Sequence, residues 1–224
     1  QMAYHQSNNG KFIGRFGKKA AAVNLLHQTV NAYNQDMGIT SDYSVYEPAM
    51  NGLTYPYFDL VPGPEVQLTT INNVVFYLKT LKAPIQRNQS NVEVIAGKQL
   101  FVDLKCATCH IPQWTTLQST IPALSNKIFY PYTDLLLHDM GPGLDDGYTE
   151  GIALTPEWRT APLWGLGLSA NSQGGSYFLL HDGRATTIQQ AIELHGGEAQ
   201  YAKTQFLNLS QSDKQKLIKF LESL

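Results

Sequence analysis

Cys106-Ala107-Thr108-Cys109-His110 places two thiols and an imidazole in one short stretch, and the 224-residue chain contains no other cysteine. Cys-x-x-Cys-His is the attachment unit of a c-type haem. Each sulfur adds across one porphyrin vinyl group, and the adjoining imidazole then reaches the iron. Two other chemistries use a Cys-x-x-Cys pair. A structural zinc site needs a second ligand pair, which the cysteine count does not supply. A redox dithiol is expected to open a helix after a strand, whereas here an apolar helical pattern runs into the motif from its N-terminal side.

That pattern is Asn91 to Lys105, in which Val94, Gly97, Phe101 and Leu104 fall on one helical face. Gly97 and Phe101 are one turn apart. A glycine admits a second helix at close range while the aromatic ring fills the space beside it, as where the first and last helices of a cytochrome c domain cross. The last helix is expected to start at Ser210, with Asp213 completing a capping box, and to bury Leu217, Leu221 and Leu224.

The remainder is read in order. A helix is expected over Lys18–Gln35, a long irregular loop over Ser41–Pro64, and a helix over Glu65–Lys82 with Leu68, Ile71, Val75, Leu78 and Leu81 on one face, stopped by Pro84. Residues 83–91 read as a polar linker, which divides the chain into residues 1–82 and 92–224. Ile111–Pro131 lacks periodicity, and three polar-aromatic loops follow at Tyr132–Leu144, Glu157–Gly165 and Leu180–Arg184. A short helix from Thr187 to His195 ends at Gly196-Gly197. The expected fold is therefore mainly α: a cytochrome c-like helical haem domain with long irregular loops.

A chain of this length could bury about 70 per cent of its unfolded surface, enough for one large or two small domains. A net charge of −2 without a dense basic stretch excludes a nucleic-acid footprint, and no apolar run is long enough to span a membrane. Gln1–Gly10 lacks the features of a signal peptide. Because bacteria attach haem to this motif outside the cytoplasm, a signal or lipid anchor is expected upstream. The protein is expected on the exported side, periplasmic or outer-surface.

The stretches Gly14–Ala20, Asp36–Thr40, the haem motif, Tyr132–Leu144, Glu157–Gly167, Leu180–Arg184 and Ile192–Ala199 together resemble, in that order, the bacterial di-haem oxidoreductases, relatives of the di-haem cytochrome c peroxidases. Members of that group carry two haem motifs, and this chain has one. The resemblance implies that residues 92–224 are the C-terminal haem domain and residues 1–82 the tail of an N-terminal one. It further implies a peroxide-reacting haem upstream and an electron-transfer haem c here. Partners would be the upstream haem domain and an electron-donor protein or small redox molecule. Two alternatives stay open: a stand-alone mono-haem electron carrier, and a haem-bearing interaction module in polysaccharide use or metal handling.

His110 is the expected proximal ligand. For the sixth position the expectation is His195, since Ile188, Ala191, Ile192 and His195 share the apolar face of their helix and Gly196-Gly197 leave space for a porphyrin edge. Its competing reading is a core histidine bonded to a carbonyl. Met140 is the alternative ligand, because a thioether is a common partner of haem c, and its competing reading is a core residue in a turn. From the resemblance, His138 and His181 shape the haem pocket by bonding propionates or backbone, and Arg184 is placed in the pocket with them. Gln28 and Asp36 loosely match a glutamine and an acid above the peroxide-reacting haem, where Asp36 would move a proton during bond cleavage. A calcium ion is implied near Arg159–Pro162, held partly by backbone carbonyls. His27 reads as a surface or interdomain residue, and His5 is set aside in the terminus.

Overall fold

The computed structural model describes residues 12–48 and 61–224, so His5 and part of the expected 41–64 loop lie outside it. Its chain divides into two compact units, Gln1–Leu81 and Lys82–Leu224. The fold is mainly α. The described strands are two short antiparallel pairs, β1 (Trp114–Thr115) with β2 (Ile128–Phe129), and β3 (Leu137–Asp139) with β4 (Glu157–Arg159).

In the first unit the expected helix over Lys18–Gln35 is shorter and changes type. α1 covers Leu25–Asn31 because the Asn24 side chain caps it, accepting from the His27 N–H. Upstream, left-handed turns at Gly17 and Ala20 and a bridge between Phe16 and Ala22 replace helix. Ala32–Asp36 continues α1 as a π-helical turn that carries buried Asn34, whose side-chain amide donates to the Tyr46 carbonyl at 2.9 Å. α2 spans Leu68–Thr80 and buries Ile71 and Val75 against Val30. Leu68 and Leu81, expected on the same face, are exposed: Leu68 is the first residue of the helix and Leu81 lies past its end, where the backbone is extended. Asp42 accepts from the Leu68 N–H at 2.6 Å and Glu65 binds both the amide and hydroxyl of Thr40, which ties the two ends of the loop.

The second unit is built on the crossing of α3 (Val92–Asp103) and α7 (Gln211–Ser223). Asn91 caps α3 and Ser210 caps α7 as expected, its hydroxyl accepting the Asp213 N–H, while the Asp213 carboxylate accepts from that hydroxyl in place of the Ser210 N–H of a capping box. At the crossing a Cβ on Gly97 would lie 2.0 Å from the Lys216 carbonyl oxygen and 2.8 Å from Phe220 Cβ, so the backbones touch where a side chain would stand. Phe101 then packs on Phe220, with ring centroids 5.4 Å apart, and Tyr132 meets both rings edge-on. Val94, Leu104, Leu217, Leu221 and Leu224 complete this core.

α4 (Leu166–Ser172) also packs on α7 through a glycine: a Cβ on Gly167 would fall 1.8 Å from the Glu222 carbonyl oxygen. α5 (Ile188–Leu194) begins after Thr187, whose hydroxyl accepts from the Gln190 N–H, and α6 (Gln200–Leu207) buries Phe206 in the common core. Residues 83–91, expected as a linker, are fastened to α7. The Arg87 amide donates to the Ser223 carbonyl at 2.7 Å, its guanidinium to the Glu222 carbonyl, and the Gln86 amide to the Ser223 hydroxyl at 2.9 Å.

Candidate haem site

The end of α3 shapes the cysteine motif. Lys105 takes a left-handed conformation, φ 67°, which turns the chain out of the helix and into the 3-10 turn Cys106–Thr108. The Cys106 carbonyl accepts the N–H groups of both Cys109 and His110, so the three motif side chains are gathered on one tight turn. Both free thiols are pushed up to about 11. Burial is the main cause for each, and Asp134 and Glu198 add to it at Cys109. A dithiol oxidoreductase needs the opposite shift, which agrees with the sequence context against a redox dithiol.

His110 Nδ1 lies 3.0 Å from the carbonyl oxygen of Tyr132. A carbonyl only accepts, so Nδ1 carries the proton and Nε2 keeps its lone pair. Tyr132 is itself held in the Phe101–Phe220 cluster, which links the imidazole to the helix crossing. His195 repeats the arrangement. It forms the C-terminal cap of α5, and its Nδ1 lies 2.7 Å from the Ala191 carbonyl oxygen. The competing reading of His195, a histidine bonded to a carbonyl, is thus true of Nδ1 and leaves Nε2 available.

Both imidazoles fold neutral. Burial pushes His110 down to about 4, opposed by its Tyr132 bond and reinforced by the nearby His195. Burial also lowers His195, against the effect of the Ala191 carbonyl. Neutral imidazoles are the form that binds a metal ion. A stability consequence follows for the haem-free chain. Below the unfolded pKa of 6.5 the unfolded chain takes up protons that the half-buried rings refuse, so stability is full above that value and falls as pH drops toward about 4. Thermal melts between about pH 7 and pH 4.5 should show this acid limb, and replacing His110 with glutamine should flatten it.

His138 is not placed to bind iron. On β3 its Nε2 lies 2.8 Å from Asp134 Oδ2 and its Nδ1 2.8 Å from Glu198 Oε2. Its partners are therefore protein carboxylates, where a propionate or backbone partner was expected. Burial works to lower its pKa, but the hydrogen bonds and charges of Glu198 and Asp134 outweigh it and raise the group overall. Cys109 Sγ lies 3.8 Å from His138 Nδ1, and Cys109, Asp134 and His138 could together hold a metal ion while the thiol is free. Thioether formation would remove that thiolate.

The other expected pocket residues have separate roles. His181 stacks on Trp158 with centroids 4.4 Å apart and planes 8° from parallel, and Trp158 donates to the Leu144 carbonyl at 2.7 Å. Arg184 pairs with Asp182 and donates to the Gly143 carbonyl at 2.9 Å, pinning the Pro142–Leu144 turn. Met140 contributes its backbone, the amide donating to the Pro156 carbonyl at 2.9 Å. On the side where a Cβ would stand, Gly196 and Gly197 face protein backbone. They admit the backbone of the Asp139–Gly141 turn: a Cβ on Gly197 would lie 2.1 Å from the Asp139 carbonyl oxygen. In the expected calcium loop, the Thr160 carbonyl already accepts from the Thr133 hydroxyl at 2.7 Å and the Arg159 guanidinium at 3.4 Å. Gln28 lies partly buried on α1, and Asp36 ends the π turn with its side chain exposed. His27 is half-buried on α1, its Nδ1 accepting from the Val23 N–H at 3.4 Å.

Tyr132, Asp134 and Glu198 were not singled out by sequence. All three lie within stretches quoted above, but no helical pattern there pairs Asp134 with His138, and Glu198 is far from it in the chain.

The donor set fits a haem c: two thiols on one turn, and two neutral imidazoles with Nε2 unprotonated. Over residues 3–224 the chain matches the family described as "Di-haem oxidoreductase, putative peroxidase". No curated protein matches it. Among solved structures it is similar to a chain of the Kuenenia stuttgartiensis hydrazine synthase pressurised with xenon. The identity is 18% and the TM-score 0.42, over 69% of this chain and 55% of that one. The chain thus spans little more than half the length of that relative, at a likeness too low to carry an argument.

Proposed function

Because the chain belongs to the di-haem oxidoreductase family, we propose that its second unit carries the electron-transfer haem of a peroxidase-like enzyme whose peroxide-reacting haem lies upstream. The observation that supports this most is the pair His110 and His195, each with Nδ1 spent on a carbonyl and Nε2 left for a metal. A haem bound there supplies one-electron chemistry between ferric and ferrous iron.

The chain's own residues do the rest. Cys106 and Cys109 tether the group on the turn that follows α3. Tyr132 and Ala191 fix the ring orientation and tautomer of His110 and His195. If both imidazoles bound the iron, peroxide would find no open position there, which would suit electron transfer in place of bond cleavage. Gln28 and Asp36, in the first unit, are the residues the resemblance offers for moving a proton there. Haem attachment implies that the protein works on the exported side. No helix among the described residues is long and apolar enough to cross a membrane.

The test is to produce the chain with cytochrome c maturation machinery. A pyridine haemochrome spectrum should report thioether-linked haem, lost when Cys106 and Cys109 are both replaced by serine. Peroxide with a reduced donor should be turned over slowly at most. Rapid turnover by this chain alone would make its own haem the catalytic one and overturn the reading.

A further inference from the structure

We propose that Glu198 is the positioning residue that holds His195 in place as a haem ligand, acting as a latch between the end of α5 and strand β3. The inference rests on the reading of His195 as the sixth ligand, and deepens it.

His195 stands where α5 stops. Its N–H still donates to the Ile192 carbonyl at 3.2 Å, but its ψ of 143° has left the helix, so α5 holds the ring's backbone from the N-terminal side only. The Nδ1 bond to Ala191 fixes one atom of the imidazole and leaves the direction of Nε2 dependent on that backbone. Something beyond α5 has to set it. Three residues later, both oxygens of Glu198 reach β3: Oε1 accepts the Asp139 N–H at 2.9 Å and Oε2 faces His138 Nδ1 at 2.8 Å.

β3 is a rigid anchor for such a latch. It is registered against β4 through Leu137 with Arg159, His138 with Trp158 and Asp139 with Glu157. His138 is held from its other side by Asp134, whose side chain is 6% exposed, so the imidazole cannot swing away from Glu198.

The intervening glycines set the distance. A Cβ on Gly196 would lie 2.9 Å from the Met140 carbonyl oxygen, one on Gly197 2.1 Å from that of Asp139, and one on Gly141 2.8 Å from the Gly197 nitrogen. Gly197 and Gly141 also take φ of +53° and +77°, which side-chain-bearing residues adopt at a cost. The backbone of β3 thus presses directly on the two residues after His195, and Glu198 closes the contact. The carboxylate itself is held below its usual range by His138 first and then by the Asp139 N–H.

The experiment uses the haem-loaded full chain and reads spin state by optical and EPR spectroscopy at constant covalent haem content. Glu198→Ala should raise the high-spin fraction about tenfold, the lower end of what residues outside the ligand set contribute to a metal site. Added imidazole should return that variant to low spin by filling the vacated position. Glu198→Gln should stay near the parent, since its amide oxygen still accepts from Asp139 and its NH2 can donate to a neutral His138 Nδ1. If Glu198→Ala fails to fold, Gly197→Ala attacks the same latch from the backbone and should raise the high-spin fraction likewise. The proposal is overturned if the folded Glu198→Ala or Gly197→Ala variant stays low-spin while His195→Ala is high-spin, or if glutamine is as damaging as alanine. A His195→Ala chain that stays low-spin would instead remove the ligand reading on which the latch rests.

Discussion

Replacement of His195 by alanine is expected to convert the haem-loaded chain from a six-coordinate low-spin spectrum to a high-spin one, with covalent haem retained. Retention follows because Cys106, Cys109 and His110 lie on a separate turn after α3, which α5 does not form. The conversion should be close to complete, since no other described imidazole nearby has a free nitrogen: both nitrogens of His138 face carboxylates at 2.8 Å. Met140→Ala should leave the low-spin spectrum unchanged. What the fold uses of Met140 is its backbone, through the amide bond to Pro156 and the carbonyl packed against Gly196. Low spin that survives in the His195 variant and disappears in the Met140 variant would transfer the ligand role to methionine.

The second large effect is on stability. Gly97→Ala would ordinarily favour a helix by about 1 kcal/mol, because glycine costs backbone entropy there. Here the added methyl would stand 2.0 Å from the Lys216 carbonyl oxygen, a backbone atom that cannot rotate away. α3 and α7 must then separate, which loosens the Phe101–Phe220 contact and the Tyr132 ring between them. Overpacking of this kind costs roughly 3 kcal/mol, so the clash should win over the propensity gain. Chemical denaturation of the variant should show a clear loss of stability, and Tyr132, released from the cluster, should orient His110 less well. Gly143→Ala is the control, because nothing lies within 4 Å of its Cβ position. A Gly97→Ala chain as stable as the parent would mean that the helices do not touch there.

How far the sequence alone reaches depends on the range of the interaction. The haem motif, the buried stripe Val94–Gly97–Phe101–Leu104 and the Ser210 cap of α7 are set by residues within a few positions of one another. Local spacing suffices to read them. Gly97 goes further, because a lone glycine on an apolar stripe implies a close neighbour, although not which one. Short elements with weak patterns escaped: α4 starts after a left-handed Gly165 and packs by way of Gly167, and α6 buries Phe206 alone.

His195 shows the division most plainly. Helical spacing put its ring on the apolar side of the expected Thr187–His195 helix, and the run of family-like stretches put it among the expected pocket residues. Only the tertiary structure decided that Ala191 takes Nδ1 and leaves Nε2, that His138 is consumed by Asp134 and Glu198, and that Gly196-Gly197 receive the Asp139–Gly141 backbone. Glu198 lies 60 residues from His138 in the chain, and a carboxylate at that remove carries no periodic or compositional mark. Its partner is chosen by the path of β3 past the end of α5, and that path exists only once the core around Phe101, Phe220 and Tyr132 has closed.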